Sequence, residues 1–373
     1  SESQKGGKKM GALAQRLAEQ VVNKTLALRE GEEYFIFTWQ HTIPYADALF
    51  VEAAKVGAHA HVELITDESY RRYLSEVPEE FIRRTSPLML KAYDSLDAMT
   101  YLGGPEDPAI FDEMPPEKMS AMGEADKPFS DKSRERKIRG VGIDVGQVTP
   151  QRAEKYGIDF EAWSASVNEA LESDLNQISK RGNDLVSRLE SATEARVTAK
   201  NGTDVRFELG GRKAFLADGI VDAQDIKKGA LFANLPAGEV SIAPRETTAK
   251  GRVVFDRLAL WGKVLTNVQW EFQDGRLQSY AVGANQDIWD RFYGSAKGDK
   301  DRIGSFSLGL NPRGRPLDIN LTDSFLAGSV GIGIGGNEYF GGANDSTFEW
   351  SGNILGATVE LDGTEIVANG KLV

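Results

Sequence analysis

The stretch EYFIFTWQHTIPYADALFVEAAKVGAHAHVELI, residues 33–65, changes its hydrophobic rhythm twice. Tyr34 to Thr38 is a short run of aromatic and β-branched residues, the pattern of a buried strand. Pro44 then opens a helix: a proline in the first turn gives up an N–H that has no intrahelical partner, and Gly57 supplies the left-handed end. HAHVELIT returns to strand. Strand, helix and strand in this order predict an α/β layer with mainly parallel pairing.

The alternation continues on both sides. Met10 to Leu28 is helical, with Leu13, Leu17, Val21 and Leu26 near one face and Gly31 as a stop. DESYRRYLSEV and EEFIRRTSPLMLKAY read as helices, and DAMTYLGG and RKIRGVGIDVG as strands. Residues 159–190 read as one amphipathic helix or two. Residues 1–10 read as a disordered tail, and 105–132, rich in Pro, Glu, Met and Lys, as a loop with short helical pieces. After Ala192 the character changes. EARVTAKNGTDVRFELGG alternates around Asn201-Gly202, a strong hairpin signal. Strands and Asp-Gly turns (218–219, 274–275, 362–363) follow, with one main helical candidate within 281–302. The expected organisation is a tail (1–10), an N-terminal α/β domain with a mainly parallel sheet (11–195) and a β-rich C-terminal domain (196–373).

A net charge of −12 disfavours non-specific nucleic-acid binding, which needs positive surface to release counterions. No apolar run approaches the ~20 residues needed to cross a bilayer, and the first residues carry charge without an apolar core, unlike a secretory signal. With no cysteine there are no disulfides, which fits a cytoplasmic protein. The three histidines (His41, His59, His61) all lie in the first sixth, so from Val62 onward there is neither histidine nor cysteine. Imidazole and thiolate supply most transition-metal ligands, most general bases poised near neutral pH and the most reactive nucleophiles. Chemistry in the C-terminal two-thirds must therefore rest on carboxylates, hydroxyls, tyrosines, lysines or backbone groups.

His59 and His61 stand two apart on a predicted strand and so share a face, most simply as structural residues. His41 follows the first strand, where open α/β sheets place ligands. GSVGIGIGGNEYFGGAND (328–345) lacks the spacing of a dinucleotide loop, and its glycines suit tight turns and close backbone approach instead. FANLPAGEVSIAPRETTAKGRVVFD (232–256) is the most distinctive segment. Pro236 and Gly238 set a turn presenting Glu239 between strands, a position suited to a metal ligand or a general base.

NLPAGEV with its return GRVVFD, together with LREGEEYFIF, EAAKVGAHAHVEL, SFSLGLNP and GSVGIGIGGN…GGANDSTFEWSG in that order, resembles the aminopeptidase T and aminopeptidase S family of M29 metallopeptidases over roughly residues 11–373. The glycine segment is also similar to that of the 2,5-dihydroxypyridine dioxygenases. The resemblance implies an aminopeptidase-T-like architecture and a homodimer. It also implies two metals held by two glutamates, two histidines, an aspartate and a tyrosine. Matched by position, Glu239 keeps the first glutamate, Ser305 stands at the second, Gly331 at the first histidine, and Glu349 and Ser351 at the final His-x-Asp pair. Tyr339 lies within one residue of the tyrosine. The two histidines and the aspartate that hold iron in the ring-cleaving branch are missing as well.

The leading expectation is a divergent enzyme acting on an unidentified small molecule by carboxylate-based, metal-independent chemistry. Glu239 and Glu349 would be the paired acid and base, and Tyr339, Ser305 and Ser351 hydrogen-bonding groups, with no cofactor. One alternative is a leucyl-aminopeptidase-like hydrolase with a rebuilt oxygen site of Glu239, Glu349 and Asp345, suited to Mg²⁺, Mn²⁺ or Ca²⁺. Another is a non-catalytic dimeric binding protein. Expected partners are a small molecule and a second copy, with neither nucleic acid nor membrane.

Overall fold

The computed structural model describes residues 2–111 and 116–373, apart from the side chains of 2–10, 111, 116 and 119. The chain forms two compact units, each discontinuous in sequence: Ser1–Glu154 with Asp159–Ser164 and Gly219–Pro236, and Lys155–Ile158 with Ala165–Asp218 and Ala237–Val373.

Among the described residues, the first unit is built on a five-stranded, wholly parallel sheet. Its strands run in the order His59–Ile65, Glu33–Trp39, Ala98–Tyr101, Arg139–Ile143, Phe232–Leu235. The α/β expectation holds, and alternation shows why. Tyr34, Ile36 and Thr38 are buried on one side, while Phe35 and Phe37 pack on the other with Tyr93, Leu96, Met99 and Ile138. The last strand comes from late in the chain. Its Phe232 ring lies against Gly140, where a Cβ would meet the ring at 2.4 Å. The helix of the opening motif spans Ile43–Lys55. The first helix spans Glu2–Gln20 and so includes most of the stretch read as a tail.

One local reading is corrected. Within 105–132, expected as a loop with short helical pieces, residues 112–115 lie outside the described residues, but Pro116–Arg136 is a single helix of 21 residues containing Pro128. Composition misled here because the helix carries its charges as neighbours on successive turns, Lys127 with Asp131 and Lys132 with Glu135. Phe129 meanwhile packs on Tyr93. Among the described residues no helix is long and apolar enough to cross a membrane.

The second unit holds two antiparallel sheets. Among the described residues, one has eight strands, including the Asn201-Gly202 hairpin (Glu194–Thr198 with Asp204–Glu208) and the long pair Lys250–Leu260 with Lys263–Gln273. The other has five, in the order Glu349–Ile354, Val330–Gly335, Ile303–Gly309, Glu239–Ile242, Ala214–Ala217. Val205, Phe207, Val253, Phe255 and Trp270 of the first share one core with Val240, Ile242, Phe306, Leu308, Val330, Ile332 and Ile334 of the second. The helix Leu175–Ser191, capped by Asp174, adds Leu185 and Leu189.

Candidate active site on the five-stranded sheet

In the five-stranded antiparallel sheet of the second unit the period of two separates apolar from polar residues. Val240, Ile242, Phe306, Leu308, Val330, Ile332 and Ile334 enter the core. Their neighbours along each strand, Glu239, Ser241, Ser305, Ser307, Gly331, Gly333, Glu349, Ser351 and Asn353, form the opposite face. Registry places them in rows: Ser241 beside Ser307, Ser307 beside Gly331, Gly331 beside Asn353; Ser305 beside Gly333, Gly333 beside Ser351; and Gly335 beside Glu349. Glu239, Ser305, Glu349 and Ser351, all singled out from the sequence, thus share one face.

The glycines make room for hydroxyls. A Cβ at Gly331 would lie 2.2 Å from Ser307 Oγ, and one at Gly333 would lie 2.3 Å from Ser305 Oγ. The result is a floor of serine hydroxyls where the resemblance to the M29 metallopeptidases implied a histidine.

Glu239 sits at the start of its strand, beyond a cis Leu235–Pro236 bond and Gly238 at φ +123. Asn311 holds this turn. Its Nδ2 donates to Ala237 O at 2.8 Å and to Ala170 O at 3.1 Å, and its Oδ1 accepts from Ser173 Oγ at 2.7 Å and from Arg313 N at 3.0 Å. The buried amide is fully used. Opposite Glu239 stands Gly309, where a Cβ would meet Leu326 O at 2.1 Å and Ser324 O at 2.6 Å. The 324–326 segment packs into that gap and brings the Ser324 hydroxyl to Glu239, alongside Ser307 and Ser241, whose Oγ donates at 3.0 Å.

Burial pushes the Glu239 carboxyl above the ordinary carboxylate range, and the three hydroxyls pull it part of the way back. Glu349 is also raised, first by desolvation and then by the charge of Glu239, although its side chain remains exposed. Two carboxyls on one face thus hold protons more tightly than free ones, and the charge of Glu239 resists ionisation of Glu349. The Nδ2 of Asn353, buried on the same face, has no protein partner.

Tyr339 is more peripheral. It is 68% exposed on a short turn, Glu338–Phe340, and its ring stacks on Phe215 at 6.1 Å. Phe215 pairs with Ser241 in the sheet, so the two aromatics flank the hydroxyl floor. Asp345 donates its N–H to Asp299 and lines a cavity of about 290 Å³ together with Glu349 and Glu338. Among the described residues, no three of His, Cys, Asp and Glu converge as a metal-holding group. The side chains present fit neither a metal pair nor a histidine-held iron. His59 and His61 both engage Glu33, at 2.9 and 2.6 Å, in the other unit.

Sequence reading missed Ser241, Ser307, Ser324, Asn353, Phe215 and Asn311. Alternation could have found two of them, since E-V-S-I and S-F-S-L each put a hydroxyl opposite an apolar residue. Ser324 and Asn311 act from loops, where no period points.

Comparison with known proteins matches residues 172–373, more than half of the chain, to the model described as NicX: 2,5-dihydroxypyridine 5,6-dioxygenase. Residues 12–145 match the thermophilic metalloprotease (M29) model. The structure resembles wild-type AmpT from Thermus thermophilus (TM-score 0.74, 18% identity, covering 97% of this chain and 99% of that one). It also resembles the 2,5-dihydroxypyridine dioxygenase from Pseudomonas putida KT2440 (TM-score 0.61, 14% identity, 97% of each chain). No curated protein sequence matches the chain. The aminopeptidase-T-like architecture therefore extends along the whole chain.

Proposed function

Because the chain belongs to the 2,5-dihydroxypyridine 5,6-dioxygenase (NicX) family and is M29-like in fold, we propose that it is a divergent enzyme that moves protons on a small polar molecule with its own carboxyls. The observation that carries this reading is Glu239: a half-buried, serine-held carboxyl with raised proton affinity, sharing its face with a second raised carboxyl. Such a pair offers an acid and a base without histidine. Glu239 orients and exchanges a proton with the bound molecule, while Glu349, nearer solvent, is the partner through which the proton is replaced. Ser305, Ser351 and Asn353 hydrogen-bond the substrate. Phe215 and Tyr339 favour a planar ring, in keeping with the ring compound named for the relatives. The family's metal would supply Lewis-acid or oxygen chemistry, and these donors do not fit it, so no step is assigned to it.

The test screens dihydroxylated pyridines and benzenes, small acids and leucyl peptides by thermal shift, then follows turnover of any binder by mass spectrometry. The expected result is turnover that survives chelator and falls by about 10²–10⁴-fold in Glu239→Gln. Unchanged turnover in that variant, or turnover abolished by chelator and restored by divalent metal, would overturn the proposal; the latter outcome favours a metal hydrolase with a rebuilt site.

A further inference from the structure

Three turns of the second unit meet backbone to backbone. Gly328, in the first, has φ +86, and a Cβ there would lie 2.0 Å from Gly370 O. Gly370, in the second, has φ +77, and a Cβ there would lie 2.9 Å from the N and Cα of Gly356, in the third. Only glycine allows both the left-handed backbone and the close approach. Together with Pro312, Gly314 and Pro316, these turns line a cavity of about 230 Å³. It shares no residue with the hydroxyl floor, so it stands or falls apart from the reaction proposed above.

The polar groups of this cavity are donors. The chain carries a net charge of −12, yet neither aspartate nor glutamate is among the residues that line the cavity. Its one charged residue is Lys371, exposed and without an ion pair among the described residues. Ser329 also lines it. That residue is only 3% exposed, and its Oγ is shut off from solvent with no hydrogen-bond partner. A buried hydroxyl in that state is destabilising, and folded proteins seldom keep one without a use. The N–H groups of Leu355 and Gly356 likewise meet no acceptor among the described residues. Gly356 has φ +68, and successive free N–H groups at a turn with a left-handed residue form a backbone cradle for an anion.

The walls narrow the class of anion. Pro312, Pro316, Leu326 and Leu355 give the cavity apolar surface. A doubly charged phosphate or sulfate would leave one charge unmatched by the single lysine and gain nothing from those walls; such ions are met better by arginine forks. One cation beside apolar surface suits one negative charge on a short hydrocarbon body. The volume is below the roughly 300 Å³ at which pockets for drug-sized ligands begin, so that body is small. We propose that this cavity binds a short aliphatic monocarboxylate. Lys371, the Ser329 hydroxyl and the peptide groups of 355–356 hold the carboxylate, and the prolines and leucines cover its chain.

Butyrate is the probe. Added to the full chain, it should raise the melting midpoint saturably, beyond the effect of sodium chloride at equal ionic strength. Calorimetric titration reads its affinity directly, apart from any change in stability. Lys371→Gln should weaken binding about tenfold or more, and Ser329→Ala about fivefold or more, since each removes a hydrogen bond to a charged group. Lys371→Arg, which keeps the charge, should retain most of the affinity, and Glu239→Gln should bind butyrate as the wild type does. Absence of saturable butyrate binding would overturn the proposal, as would inorganic phosphate binding more tightly than butyrate. Unchanged affinity in Lys371→Gln or in Ser329→Ala would overturn it too. So would loss of binding in Glu239→Gln, which would put the carboxylate on the hydroxyl floor instead.

Discussion

Glu239 shows how one residue can be placed by sequence and still be understood only through its neighbours. The turn residues Pro236 and Gly238 announce it, but its proton affinity depends on burial and on Ser241, Ser307 and Ser324, which come from three separate stretches. Its sign has a consequence for stability. A carboxyl raised in the fold costs nothing below the ordinary value near 4.3, where it is protonated in both states, and destabilises the fold as pH rises through the folded value. Glu239→Gln should therefore raise the melting midpoint at pH 7–8 and leave it nearly unchanged at pH 4. Glu349, relieved of its neighbour's charge, should titrate lower in the variant. A variant less stable than wild type at pH 8 would show instead that the serines hold the carboxylate more strongly than burial opposes it.

At the scale of the element, alternation is the governing pattern. V-G-I-G-I-G and S-F-S-L-G are each half core and half floor, and that much is readable from the letters. The reason for glycine rather than any small residue is not, because it lies in what approaches from another strand or loop. Gly309 is the sharpest case: Gly309→Ala would drive a Cβ to 2.1 Å from Leu326 O. Moving the 324–326 segment should cost about 1–3 kcal/mol by urea denaturation, and should withdraw Ser324 from Glu239. Gly294, near the end of the Gln286–Ser295 helix with nothing within 4 Å of its Cβ position, is the control. Gly294→Ala should be neutral or stabilising by up to about 1 kcal/mol. Equal effects at the two positions would contradict the close approach as the cause. The helix Pro116–Arg136 escaped for a related reason. Two prolines and many charges look like loop until the charges are counted one turn apart.

At the scale of the whole molecule, the change from mixed 3.6- and 2-residue periods to period two marked a parallel α/β layer and a β-rich remainder, both of which the structure contains. The allotment of the Phe232–Leu235 strand to the parallel sheet was out of reach, since a run of four residues does not say which sheet it joins. Resemblance to metallopeptidases was legible in the order of the motifs, and the missing histidines were legible in composition. Together they lead to a family scaffold whose floor is hydroxyl and carboxyl. The most direct measurement is a calorimetric titration of the chelator-stripped full chain with Zn²⁺, Mn²⁺ and Fe²⁺. The expected result is no site tighter than roughly 100 μM, because a cluster short of several ligands forfeits large factors in affinity. Two sites per chain at micromolar affinity or better, lost in Glu239→Gln, would contradict a floor that works by its own carboxyls.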